Sequence, residues 1–245
     1  VAIGRYLWLQ GIGFLGTAVG IMLLVFLRFP GPELVRIFIV LFATVVVTLV
    51  GMKFLTPRTI QEPLNRQFAI FNNKHNWIMT WLYVMTFGSF IGYSNAFPKL
   101  IDDVFVTATN GLVTSRYIWI GAAVGAIARP FGGWLADQFG GARVTQWDTW
   151  IMIVSTIMAS YIVSLAGASE TPERYFIPFL LTFIVLFATT GIGNGSTFRM
   201  IPIIFSKEQA GPVLGWTSAI AAYGAFLIPT IFATQIEAGT PEYAL

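Results

Sequence analysis

The feature that most constrains this chain is a succession of apolar stretches, each about as long as a bilayer crossing requires. A window of ~20 residues places them at roughly 7 to 27, 34 to 52, 77 to 97, 113 to 136, 147 to 166, 175 to 204 and 213 to 235. Inside hydrocarbon the backbone must satisfy its own hydrogen bonds, so stretches of this kind fold as helices. The polar intervals between them are short, and no soluble domain fits anywhere. Composition agrees: 56% of the residues are hydrophobic and 10% charged, against about 25% charged in an ordinary soluble domain. The first stretch is not a cleavable signal peptide, because it lacks a basic start followed by a short core and is succeeded by further stretches of equal strength. The expected fold is therefore an all-α membrane protein with about seven transmembrane helices.

Charge and residue usage exclude several classes. The charged residues are nearly all confined to the polar intervals, so the net charge of +3 marks no nucleic-acid-binding face. Zero cysteines exclude disulfides, thiolate metal sites, iron–sulfur ligation and a cysteine nucleophile. The lone histidine, His75, sits in a polar loop beside Lys74, which excludes a haem held by paired histidines of this chain. No cofactor and no metal are implied. Gly11, Gly13 and Gly16 match the spacing of a dinucleotide fingerprint, but they lie within an apolar span with no preceding strand, so the match carries nothing.

Orientation follows from lysine and arginine in the loops. The interval 53 to 76 is the longest and most basic, with Lys53, Arg58, Arg66 and Lys74 against Glu62, and is expected on the cytoplasmic side. Alternation then places Arg5, Arg143 and Lys207 inside, and Arg28, Arg36, Lys99, Arg116 and Arg174 outside. An odd number of spans, a start at Val1 and an end just after the polar TPEYA run are expected of a truncated chain. Its long inner loop lies where a transporter of two six-span halves has its central linker. The chain is thus expected to hold spans five to eleven of twelve: residues 1–52 the last two helices of the N-terminal half, 53–76 the linker, and 77–245 the C-terminal half without its last helix.

One residue stands out within this apolar background. Arg129 lies in a run with no acidic residue within seven positions on either side. At 1.5 Å per residue it sits ~14 Å from the inner helix end, close to the bilayer midplane. A central arginine costs about 2.5–3.5 kcal/mol on insertion scales, and such residues usually face a cavity and mark a substrate path. The alternative is an arginine satisfied by backbone carbonyls beside Pro130, or paired with a carboxylate from the rest of the N-terminal half. On the third span Tyr83 and Phe87 share a face, which Phe90, Ser94 and Asn95 continue; that face either packs or lines a pore. In the sixth span Gly191, Gly193 and Gly195 expose backbone, and Asn194, Ser196 and Thr197 supply small donors that an anion or another helix can use. No aspartate or glutamate is expected at mid-depth within the spans, so a carboxylate proton relay is not expected here.

The run GGWLADQFGGAR at residues 132–143 resembles the inner loop signature of the major facilitator superfamily. Gly133 would let two helices approach closely, Asp137 would cap or pair, Gly140 and Gly141 would permit a tight turn, and Arg143 would offer a charge to the inner surface. Three further stretches, WIMTWLYVMTFGSFIGYSNAF at 77–97, GAIARPFGG at 125–133 and TTGIGNGSTFRMIPIIF at 189–205, together resemble the nitrate/nitrite porters, the NarK-type branch of that superfamily. The likeness covers most of residues 50 to 230. It implies a secondary transporter moving nitrate and/or nitrite across the inner (cytoplasmic) membrane, by nitrate/nitrite exchange or proton-coupled uptake.

By the same resemblance Arg129 is a substrate-binding arginine, Tyr83 a hydroxyl donor to the anion and Phe87 an aromatic wall. From the residues themselves, Asn194 and Ser196 are candidates for the site or for close helix packing, and Arg199 is a snorkelling or gating residue near the inner end. One departure is Phe14, at a position where the family usually has asparagine. The resemblance implies nitrate, nitrite and the lipid bilayer as partners, no nucleic acid, and a monomer once the remaining helices are present. A porter for another small anion or an organic solute is the alternative; an intramembrane enzyme lacks the catalytic carboxylates, paired histidines or metal cluster it would need.

Overall fold

The computed structural model describes residues 2–26, 32–106 and 112–245 and is all-α over them. Arg28, counted among the outer charges, lies outside the described residues. The chain divides into two compact units, residues 1–73 and 74–245.

The first unit is a helical hairpin with a polar appendage. Helices α1 (Ala2–Phe26) and α2 (Glu33–Phe54) pack against each other, with Gly16 and Gly20 seating the side chains of Thr48 and Thr44. Those threonines donate to their own helix, Thr44 to the carbonyl of Val40 and Thr48 to that of Thr44, each at 2.8 Å, so neither hydroxyl is left bare in the apolar layer. Trp8 Nε1 donates to the Leu55 carbonyl at 3.2 Å, tying the start of α1 to the end of α2. The basic interval after α2 is more ordered than a loop. It contains α3 (Arg58–Phe68), whose start follows Pro57 and whose apolar Ile60 and Leu64 are buried at helical spacing; charged residues such as Glu62 and Arg66 stay exposed.

The second unit holds α4 (Lys74–Tyr83), α5 (Ser89–Val104), α6 (Ile118–Phe139), α7 (Gly141–Gly167), α8 (Phe176–Ile204), α9 (Lys207–Ala221) and α10 (Gly224–Glu237). Helices α4 and α5 run on from one another through a π-helical turn, Val84–Gly88. Helix α8 is the central element, packed on both α6 and α7. Its first half is locked by aromatic rings: Phe97 of α5 stacks on Phe183 at 4.1 Å between centroids, and Phe179 and Phe187 continue the cluster. Its second half carries the glycines. Helices α9 and α10 meet at a break around Ala222 and Tyr223, where Gly224 lies so close to the Gly88 carbonyl that a Cβ would stand 2.3 Å from the oxygen. Gly215, by contrast, meets nothing within 4 Å.

Six helical stretches among the described residues are long and apolar enough to cross a membrane. The expected third span, 77 to 97, is not among them, although residues 74–104 form a continuous helical run. Its mean hydropathy is lowered by Thr80, Thr86, Ser89, Ser94 and Asn95. Most of those groups are satisfied locally: Thr80, Thr86, Ser94 and Asn95 donate to the carbonyls of Asn76, Leu82, Phe90 and Ile91.

Candidate functional site

Arg129 sits midway along α6, just before Pro130, and its guanidinium carbon lies 4.4 Å from the centroid of Phe90 and 5.2 Å from that of Phe87. Cation–π contact stabilises the charge without supplying an acceptor for its N–H groups. Nε is buried and has no hydrogen-bond partner, and among the described residues no carboxylate pairs with Arg129. The arginine is therefore held in place by rings and by its helix, with donors left over.

The second wall is aromatic. Tyr83 stacks on Phe87 with centroids 5.1 Å apart and meets Phe198 of α8 at 5.0 Å. The π turn separating Tyr83 from Phe87 is a rare local geometry that frequently accompanies functional positions. The Tyr83 hydroxyl is neighboured by Ser218 of α9 and Asn194 of α8, and Arg129 is the cation whose field it feels. Asn194 is 4% exposed with Nδ2 unpartnered. Tyr83, Phe87, Phe90, Arg129 and Asn194 thus converge from three helical segments. Ser94 and Asn95, expected to continue the same face, instead bond their own helix.

Successive residues of the glycine-rich segment face different neighbours. Gly191 and Gly195 press on α6: a Cβ on Gly191 would stand 2.2 Å from the Gly125 carbonyl oxygen, and one on Gly195 would stand 2.0 Å from that of Arg129. Gly193 turns the other way, toward Asp148 of α7 and Thr86 of the π turn. Ser196 is engaged on α7, 2.7 Å from the Thr145 hydroxyl, so the structure does not bring it to Arg129. Thr197 is fully buried, with its hydroxyl unpartnered.

At the far end of α6 the signature residues separate into distinct tasks. Asp137 pairs with Arg199 of α8, and Gly140 has φ +87°, a left-handed backbone that permits the sharp passage from α6 to α7. Gly141 is needed for a different reason, since a Cβ there would meet Met200 at 2.2 Å. The close approach expected at Gly133 occurs at Gly132, against the Ile192 carbonyl, whereas Gly133 makes only an ordinary 3.8 Å contact. One residue of rotation, about 100° on a helix, decides which of two adjacent glycines faces α8. Arg143 is exposed.

Asp148 is a functional candidate that the apolar pattern does not single out, since it falls at the edge of the window beginning at residue 147; α7 begins at Gly141 and so carries Asp148 about 10 Å along the helix. The carboxyl is 3% exposed and its Oδ2 has no partner. No aspartate or glutamate is expected at mid-depth; Asp148 lies short of the middle of the 27-residue α7, yet it is a buried carboxyl within that helix. The available signal was the helix start at the double glycine, which moves the boundary of the span toward the N-terminus.

The helices and this cluster define a multi-pass membrane protein of the major facilitator type. No family model matches the chain. It is 39% identical over 190 residues, 78% of its length, to a probable nitrate/nitrite antiporter NarK2 of Thermus thermophilus. It is 36% identical over 201 residues to the nitrate/nitrite transporter NarU of Escherichia coli (strain K12), and 32% identical over 179 residues to a nitrite extrusion protein of Bacillus subtilis (strain 168), matches covering 73% and 72% of this chain. This chain belongs to the nitrate/nitrite porter family, as a multi-pass inner-membrane protein. It spans 42% of the length of the first two relatives and 41% of the third.

Proposed function

We propose that the chain forms the C-terminal portion of a secondary transporter that moves nitrate and/or nitrite by alternating access, and that it acts as no enzyme. In this reading residues 1–52 close the N-terminal half, 53–76 link the halves and 77–245 belong to the C-terminal half, and the complete protein works as a monomer. The observation that carries the proposal is the Arg129 guanidinium, held on Phe87 and Phe90 with Nε unpartnered.

Nitrate is planar with charge spread over three oxygens, and a guanidinium edge donates two parallel hydrogen bonds to two of them. Tyr83 and Asn194 supply further donors beside it, and the aromatic faces keep water away, which raises the value of each bond. Anion binding neutralises a charge that is costly within the membrane, and a neutralised site reorients between the two faces more readily than an empty one. Gly191 and Gly195 let α6 and α8 meet through backbone around Arg129, and the Asp137–Arg199 pair joins the same helices near their ends. The names of the relatives support the choice of anion.

The test is nitrate uptake by proteoliposomes containing the intact protein, loaded with nitrite, beside Arg129→Lys. Uptake is expected to collapse in the lysine variant, which keeps the charge and loses the fork. Equal uptake by the two proteins would remove Arg129 from the mechanism.

A further inference from the structure

The mechanism so far makes no use of Asp148, although it is the least expected group in the unit. Its carboxyl points into the contact between α7 and α8, where a Cβ on Gly193 would stand 2.5 Å from Oδ2 and 2.5 Å from Thr86 Cγ2. The absence of a side chain at Gly193 is what gives the carboxyl room. The open side is a crevice of about 170 Å³ lined by Leu135 and Phe139 of α6, Val144, Trp147 and Ile151 of α7, and Ile192 of α8.

None of those six residues titrates or donates from its side chain into hydrocarbon except Trp147, which is itself exposed. Thr86, facing from the π turn, spends its hydroxyl proton on the Leu82 carbonyl. Of the charged groups on the neighbouring helices, Asp137 and Arg199 pair with each other, and Arg129 lies against Phe87 and Phe90 with no carboxylate paired to it among the described residues. An ionised carboxylate in such a place has neither water nor a cation, whereas a protonated one is a small neutral group that fits.

We infer that Asp148 is the proton-carrying group of the transporter, protonated while the α7–α8 contact is closed and ionised when that contact opens to water. This rests on the anion-transport reading above and adds its coupling. A proton bonds to a carboxyl oxygen of Asp148 from water on one side of the membrane and leaves to water on the other; no other bond changes. One proton and one monovalent anion crossing together carry no net charge.

The link to the anion is the segment 191–195 of α8. Gly193 seats Asp148, its neighbours Gly191 and Gly195 lie on the backbone of α6 at Gly125 and Arg129, and Asn194 stands beside Tyr83. A shift of α8 that exposes Asp148 therefore also moves the surface on which Arg129 rests.

The experiment uses the intact protein in proteoliposomes with a pH-reporting dye inside, nitrate added outside at equal pH, and nitrate-for-nitrite counterflow measured in parallel. Wild type is expected to acidify the interior on nitrate entry. Asp148→Asn, isosteric with the protonated acid, is expected to lose that acidification while counterflow persists. Acidification that persists in Asp148→Asn overturns the proposal, as does wild-type counterflow with no acidification. Loss of both activities in the variant also overturns it, since it would make Asp148 a packing residue.

Absence of counterflow in wild type would sink the anion reading, and this inference with it. Should the variant not be recovered folded, the wild type decides. Net uptake that depends on the pH gradient beside counterflow that does not supports the proposal, and equal dependence of the two overturns it.

Discussion

Gly195 of α8 lies directly on the backbone of Arg129: a side-chain carbon added there would stand 2.0 Å from the Arg129 carbonyl oxygen and 2.9 Å from its carbon. Backbone cannot yield as a flexible side chain can, so Gly195→Ala is expected to force α6 and α8 apart, at a cost in the range of about 1–3 kcal/mol typical of overpacking. Gly133→Ala, where the nearest atom is an ordinary 3.8 Å away, is expected to leave stability unchanged. Thermal unfolding of the two detergent-purified variants, side by side, distinguishes a contact that needs glycine from one that merely has it.

Removing only the hydroxyl of Tyr83 tests the site without disturbing its packing. The ring stacks on Phe87 and Phe198, and phenylalanine keeps both contacts. Tyr83→Phe is expected to weaken nitrate binding by roughly two- to tenfold, the span of one net hydrogen bond, with little change in the unfolding temperature. Unchanged binding by titration calorimetry would place the hydroxyl outside the anion's reach.

The rings beneath Arg129 make a separable contribution. Phe90 is nearer the guanidinium than Phe87, 4.4 Å against 5.2 Å, so Phe90→Leu is expected to cost more in anion affinity than Phe87→Leu, each within the ~0.5–2 kcal/mol of a cation–π contact. The reverse order in the same binding assay would show that Phe87 acts through Tyr83 instead.

The Asp137–Arg199 pair is half-exposed on both sides, at 42% and 52%. Pairs of this exposure contribute roughly 0–1 kcal/mol, so Arg199→Gln is expected to alter unfolding by no more than that. A larger loss in a denaturant titration would mean that the pair holds α6 and α8 together.

What could be read from residues alone follows the range of the interactions concerned. Helix spans depend on local apolar runs, and the Tyr83–Phe87 face depends on a spacing of four within one helix, so both were legible before any fold was known. Arg129 was legible because its cost is set by the surrounding solvent. The facing of Gly132 and Gly133, the engagement of Ser196 by Thr145, and the selection of Gly193 as the seat of Asp148 depend on the rotation of one helix against another. That rotation is decided by packing over many side chains and leaves no mark in the spacing of a single segment. Phe90 is intermediate: its face was visible, while its contact with the guanidinium required the position of α6 relative to α5.

Helix α8 changes character along its length, with Phe179, Phe183 and Phe187 meshed against Phe97 of α5 giving way to bare backbone at Gly191, Gly193 and Gly195. Meshed rings must be lifted out of one another before two helices can slide, whereas backbone against backbone presents no such teeth. Resistance to shear is therefore concentrated at one end of the helix. The end that borders Arg129 and Asp148 is the smooth one.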